Sequence, residues 1–93
     1  MQQYDLQARY DSRASFYGKA RVVENGEDLE LISYQTRVAV IYPATETEPR
    51  RARVYGTYSA TTLRHIKEFL LQNGFEAKNS KQIMADYGRE GEK

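Results

Sequence analysis

The chain of 93 residues lacks cysteine and tryptophan and has a single histidine. Without cysteine there is no disulfide framework, no thiolate nucleophile and no zinc ribbon or finger. One histidine gives most histidine-based catalysis a single candidate, and a metal site at His65 would need carboxylates as its other ligands. Glycine-rich phosphate loops and paired-carboxylate motifs are missing as well. The sequence therefore predicts no metal, no cofactor and no catalytic residue.

An excess of charge and a long apolar run are also missing. Lys and Arg number 14 against 13 Asp and Glu, a formal net charge of +1, so the whole chain has no strong attraction to nucleic acid or anionic lipid. The longest apolar stretch, 38–42, is far shorter than the ~20 residues of a membrane helix. The amino terminus does not resemble a signal peptide. We expect one small, soluble, cytoplasmic domain over residues 1–93, with 1–12 and 88–93 flexible.

Alternating apolar and polar residues predict four antiparallel strands. The predicted strands lie at 15–24, 29–32, 38–42 and 51–58. Asn25-Gly26 is a strong signal for a hairpin between the first two. The inward residues are odd-numbered in the second strand but even-numbered in the third (Val38, Val40 and Tyr42). The chain between Ser33 and Arg37 must therefore form a tight turn or a bulge.

Helical spacing follows the strands. Ser59 is the predicted N-cap of a long helix that ends at Asn73-Gly74. Its apolar arc consists of Leu63, Ile66, Phe69 and Leu70. A shorter helix is predicted at 80–87, capped by Ser80 or Asn79. The predicted fold is α+β: a four-stranded antiparallel β-meander covered on one face by a long α-helix, with a short second helix at the carboxyl terminus.

His65 lies near the edge of the apolar arc of the long helix. A catalytic triad would need a serine brought to it by folding, and no local segment resembles a nucleophile elbow. The favoured interpretation is an imidazole that packs against the rim of the sheet and forms a hydrogen bond there. We therefore expect that the chain is not an enzyme.

Basic and aromatic residues are interleaved on the sheet face that points away from the long helix. The predicted partner-binding residues are Tyr17, Lys19, Arg21, Arg37, Arg51, Arg53 and Tyr55, with Tyr34 joining from the connection between the second and third strands. Single-stranded nucleic-acid binders and protein interfaces both use such residues. An ordinary solvated sheet face also contains them. Because the total charge is balanced, we expect a protein partner in preference to nucleic acid.

Three separated segments resemble a family of small uncharacterised domains found in phages, prophages and conjugative elements of Gram-positive bacteria. The segments are YDSRASFYGKA at 10–20, LISYQT at 31–36 and SATTLRHIKEFL at 59–70. The resemblance implies a host cytoplasm and a mobile-element gene, but it transfers no catalytic residue. Small proteins of that context often inhibit host defence machinery, including CRISPR effectors.

The leading hypothesis is a non-enzymatic binding module encoded by a phage or mobile element. It would inhibit a host defence complex, plausibly of the CRISPR type, by occluding it. The alternative is a regulatory protein that binds single-stranded nucleic acid with the same sheet face. The segment 4–13 could also add across a sheet edge or dock on a second copy of the chain, which would give a homodimer.

Overall fold

A computed structural model describes residues 2–11, 16, 18–56 and 58–88. Its elements in chain order are β1 (Gln2–Asp5), β2 (Ala20–Asn25), β3 (Asp28–Ser33), β4 (Thr36–Tyr42), β5 (Arg51–Val54), α1 (Ala60–Gln72) and α2 (Ser80–Tyr87). The strands form one antiparallel sheet in sequence order. The α+β class, the antiparallel meander and the two helices are confirmed. Neither helix of the described chain is long and apolar enough to span a membrane.

The sheet has five strands rather than the four predicted. The additional strand, β1, pairs with β2 in the register Tyr4↔Val22 and Asp5↔Arg21. All four β1 residues are exposed, so the strand lacks the apolar alternation on which the sequence prediction depended. Part of the 4–13 segment thus adds to an edge of the chain's own sheet, and a homodimer stays a prediction.

The hairpin between β2 and β3 is confirmed, with its loop one residue later than predicted. Asn25 pairs with Asp28, so the two loop residues are Gly26 and Glu27. Gly26 has φ +66°, a left-handed conformation that glycine adopts with little strain. This is the first central position of the loop, where one family of hairpin turns requires glycine.

The β3–β4 connection contains the predicted tight turn, and a bulge lies just beyond the predicted segment, in β4. Ser33 pairs with Thr36, which leaves Tyr34 and Gln35 as a tight two-residue loop. The register then shifts, since Ile32 pairs with Arg37 while Leu31 pairs with Ala39. The residue between these partners is an extra residue in β4, a bulge that resets which face the following residues occupy.

The bulge makes the predicted facing of β4 wrong. Val38, the extra residue, is in the core as predicted, but its companions there are Ala39 and Ile41. Val40 and Tyr42 instead lie on the opposite face, where their partners in β5 are arginines. An unbroken period of two could not place the adjacent residues 38 and 39 on one side.

The core lies between the sheet and the two helices. Its largest buried apolar side chains are Val22, Leu31, Val38, Ile41, Val54, Ile66, Phe69, Leu70 and Ile83. Both helices begin where their caps were predicted. The Ser59 hydroxyl accepts from the Thr62 N–H at 3.3 Å, and the Asn79 side chain accepts from the Gln82 N–H at 2.8 Å. Each cap satisfies a backbone donor that the helix leaves unpaired.

Residues 6–11 form an amino-terminal segment that runs from β1 across α1. The Leu6 side chain is buried, and the Leu6 N–H donates to the Ala20 carbonyl at 2.9 Å. The Gln72 side chain of α1 donates to the Gln7 carbonyl at 2.6 Å. This segment thus covers the flank of α1 on the helix side of the sheet.

Candidate binding face

The outer face is the side of the sheet that points away from α1 and α2. Its strand residues are Gln3, Asp5, Arg21, Val23, Asn25, Asp28, Glu30, Ile32, Arg37, Val40, Tyr42, Arg51 and Arg53. Because Val22, Leu31 and Ala39 are in the core, their alternate neighbours point to this other side. In the described part of the chain both helices contribute to the core side, and neither is part of the outer face.

Two cross-strand rows organise the outer face. In the first, Ile32 of β3 lies between Arg21 of β2 and Arg37 of β4. In the second, Val23, Glu30, Val40 and Arg53 are successive partners across β2 to β5. Val40 is only 2% exposed although no helix contributes to this face, which indicates that neighbouring long side chains cover it.

Five side chains at the β4–β5 side form what we call the arginine–tyrosine cluster: Arg37, Tyr42, Arg51, Arg53 and Tyr55. The guanidinium carbons of Arg37 and Arg53 lie 5.3 and 5.6 Å from the centroid of the Tyr55 ring. That of Arg51 lies 5.3 Å from the Tyr42 centroid. All three distances are within the range of cation–π attraction. The rings therefore help to hold the guanidinium groups in place.

Two glutamates pair with the cluster. Glu30 Oε2 lies 3.1 Å from Arg37 Nη1, and Glu48 Oε1 lies 3.4 Å from Arg51 Nε. The Glu30 side chain is only 13% exposed whereas that of Arg37 is 52% exposed. The carboxylate thus lies beneath and the guanidinium above, so this part of the face presents positive charge to solvent.

Opposing effects act on the pKa of the Tyr55 phenol. Burial raises the pKa of its phenol, while the nearby Arg37 and Arg53 guanidinium groups act to lower it. Burial dominates, so the phenol stays protonated and neutral at physiological pH. Tyr55 therefore keeps a hydroxyl donor that can serve a ligand at the surface.

Four of the eight predicted binding residues come together in the cluster: Arg37, Arg51, Arg53 and Tyr55. Arg21 lies on the same face and donates to the Gln3 side chain at 2.8 Å. The sequence prediction missed Tyr42 because it assigned that residue to the core. No signal in the run of apolar residues marks the bulge that turns Tyr42 outward.

The other predicted binding residues lie elsewhere. Tyr34 is in the β3–β4 loop, where its N–H donates to the Lys19 carbonyl at 2.7 Å. Its ring centroid is 5.9 Å from that of His65 on α1, so it packs toward the helix side rather than joining the outer face. Lys19 is exposed and precedes β2. Tyr17 lies outside the described residues.

His65 is 1% exposed, and its Nδ1 lies 2.8 Å from the Ser33 hydroxyl of β3. That hydroxyl lies 2.9 Å from the Thr62 hydroxyl. Burial lowers the pKa of His65, against the opposing effect of the Asp11 carboxylate. This is the packed, hydrogen-bonded imidazole that the sequence predicted. The absence of enzyme activity stays a prediction.

Over the described residues, the fold and the outer face define a small α+β domain with an arginine- and tyrosine-bearing sheet face to which neither helix contributes. The chain belongs to a family of unknown function, DUF8033, whose model matches residues 4–86. The resemblance to an uncharacterised domain family is thereby confirmed, while its occurrence in phages and mobile elements stays a prediction. No curated protein and no solved structure gives a significant match to the chain.

Proposed function

We propose that the chain is a non-enzymatic binding module that docks a partner protein on the outer face of its sheet. The observation that carries the proposal is the arginine–tyrosine cluster on a face to which neither helix contributes. Arginine and tyrosine are enriched where protein interfaces derive most of their binding energy. Ile32 lies opposite Arg37 of the cluster, and Val23 lies on the same face in β2, so both add apolar area to the face.

A protein partner is favoured over single-stranded nucleic acid because arginine side chains already cover the tyrosine rings. Base stacking needs an open aromatic face. Two guanidinium groups lie over the Tyr55 ring and one lies over the Tyr42 ring. Glu30 and Glu48 also neutralise part of the charge that would attract phosphates. Nucleic-acid binding is the alternative function, and it predicts affinity that falls steeply with added salt.

A narrower form of the proposal names the partner. Docking on a host defence complex of the CRISPR type would inhibit that complex by occluding its own contacts. The support for this form is the sequence resemblance to domains of phages and mobile elements, which is a matter of context rather than of site chemistry. It would place the chain in the cytoplasm of a bacterial host.

The test removes two exposed arginines from the cluster. The variant R37A/R51A leaves the partly buried Arg53 in place, since its side chain helps to cover Val40. The matched control, R9A/K81A, removes the same charge from exposed positions off the outer face. Quantitative affinity capture from host lysate should recover a partner with the wild type and the control, and about fivefold less with R37A/R51A. Equal recovery with both variants, each with wild-type circular dichroism, would contradict the proposal.

A further inference from the structure

The two edge strands of the sheet differ in how far they are covered. In β5, Val54 is only 1% exposed, whereas all four residues of β1 at the opposite edge are exposed. The pairing of β1 with β2 is regular over residues 2–5, so β1 has no bulge, and it contains no lysine or proline. Natural edge strands use these features to prevent pairing with other chains. We infer that β1 pairs with β1 of a second copy, which gives a homodimer with one antiparallel sheet continuous across both copies.

The backbone of β1 presents hydrogen-bonding groups at this edge. The Leu6 N–H donates to the Ala20 carbonyl at 2.9 Å, one residue beyond the pairs of β1 with β2. In an antiparallel ladder, hydrogen-bonded and non-hydrogen-bonded pairs alternate, so the even-numbered residues of β1 bond toward β2 as Leu6 does. The N–H and C=O groups of Gln3 and Asp5 therefore point away from β2, toward the open edge.

One register satisfies these backbone groups and the side chains together. If Gln3 lies opposite Asp5 of the second copy, the two residues exchange N–H···O bonds, and a two-fold axis repeats the pair with the copies interchanged. Tyr4 then lies at the axis, opposite Tyr4 of the second copy. A shift of two residues in one direction would oppose two Asp5 carboxylates, which is unfavourable. The same shift in the other direction would separate the two tyrosines.

Tyr4 favours this register on the helix side of the sheet. It pairs with Val22 of β2, which belongs to the core and is 1% exposed, yet Tyr4 itself is 49% exposed. Its ring therefore lies beyond the part of the sheet that the helices cover. A second Tyr4 across the axis would bury both rings against each other, since aromatic cross-strand pairs are favourable.

Gln3 and Asp5 favour the same register on the outer face. The Gln3 Oε1 accepts from Arg21 Nη1 at 2.8 Å, which leaves the amide NH2 group of Gln3 to donate elsewhere. In the proposed register the carboxylate of Asp5 from the second copy lies opposite that amide. Each Asp5 then lies between Arg21, its own cross-strand partner, and Gln3 of the other copy. The edge is thus complementary to itself in backbone, rings and charge.

Disulfide trapping tests the register. The chain has no cysteine, so Tyr4→Cys introduces a single thiol. At a non-hydrogen-bonded pair the opposed Cα atoms lie ~4.5 Å apart, within the range of disulfides. Under mild oxidation, Tyr4→Cys should form a covalent dimer at least about tenfold faster than Tyr10→Cys, because only the former brings two thiols together. Tyr10 is a matched control that is 63% exposed and lies off this edge. Equal rates would overturn the inference.

Sedimentation equilibrium tests the dimer without a cross-link. Gln3→Pro removes an N–H that does not bond to β2, so β1 should stay in the sheet, which circular dichroism checks. Because each copy loses one intermolecular bond, the dimer dissociation constant should rise at least about tenfold, whereas Tyr10→Ala should leave it unchanged. A wild type that stays monomeric at every concentration, or a dimer that Gln3→Pro does not weaken, would contradict the inference. Neither result bears on docking at the arginine–tyrosine cluster, which lies at the β4–β5 side.

Discussion

Glu68 ties the amino-terminal segment to α1. Glu68 is only 1% exposed. It accepts hydrogen bonds from the successive backbone N–H groups of Arg9, Tyr10 and Asp11 at 2.9, 2.9 and 3.0 Å. The Gln72 side chain donates to the same carboxylate at 2.6 Å. Successive N–H groups around an anion form a nest, and such donors are what makes a buried carboxylate tolerable.

Replacing Glu68 by Gln tests the strength of this attachment. The amide keeps the shape but turns a donor toward backbone N–H groups, which leaves at least one of them unsatisfied. We expect the free energy of unfolding to fall by ~2–4 kcal/mol, measured by urea denaturation. Glu76→Gln is the control, because the Glu76 side chain forms an exposed ion pair with Lys78 and the loss of that pair should change the free energy of unfolding far less. Equal effects of the two substitutions would contradict the role assigned to Glu68.

At the scale of the elements, β3 and α1 are joined by a small buried polar network. It consists of Ser33, Thr62 and His65, all at most 6% exposed. The Phe16 ring closes it on one side, with its centroid 4.7 Å from that of His65. Because these groups bond to each other within a hydrophobic core, the network fixes the position of α1 on the sheet.

The same network makes stability depend on pH. The pKa of His65 is lowered in the folded chain, so the unfolded chain binds the proton more readily as the pH falls below about 6.5. The free energy of unfolding should therefore decrease from about pH 7.5 to about pH 5.5. The chain has one histidine, so His65→Asn should flatten this dependence even if it lowers stability overall. Urea denaturation of both proteins across this range measures the slopes, and equal slopes would contradict the assignment.

The helices were predictable from sequence because local chemistry sets their ends. Ser59 and Asn79 have side chains that accept N–H groups of a first turn, and Asn73-Gly74 suits a helix end. The strands were less predictable. β1 lacks apolar alternation, and its pairing depends on β2. The bulge in β4 occurs where the following residues are apolar on both faces of the strand. Neither leaves a local signal in the sequence.

The candidate site was predictable to a similar extent. Arg51 and Arg53 alternate with Ala52 and Val54, which are inward residues, so their facing needed only the period of two. Tyr42 was lost with the bulge. Tyr34 adopts φ +59°, a conformation unfavourable for an aromatic residue, and the loop directs it toward His65 instead of the outer face.

For the whole molecule, a net charge of +1 conceals an uneven distribution. On the outer face the side chains of Arg37 and Arg51 are about half exposed, and they pair with the largely covered Glu30 and the exposed Glu48. On the helix side Glu68 is buried under backbone donors. The two sides therefore differ in what their charged groups contact: arginines contact tyrosine rings on the outer face, and Glu68 contacts backbone donors on the helix side.

The central claim, that a partner docks on the outer face, is tested most directly by hydroxyl-radical footprinting with mass spectrometry. Tyr42 and Tyr55 report on that face, and the exposed Tyr10 of the amino-terminal segment is an internal control. Oxidation would be compared between the free chain and the chain bound to its captured partner. We predict that binding reduces oxidation of Tyr42 and Tyr55 and leaves that of Tyr10 unchanged. Protection of Tyr10 with unchanged oxidation of Tyr42 and Tyr55 would contradict the claim.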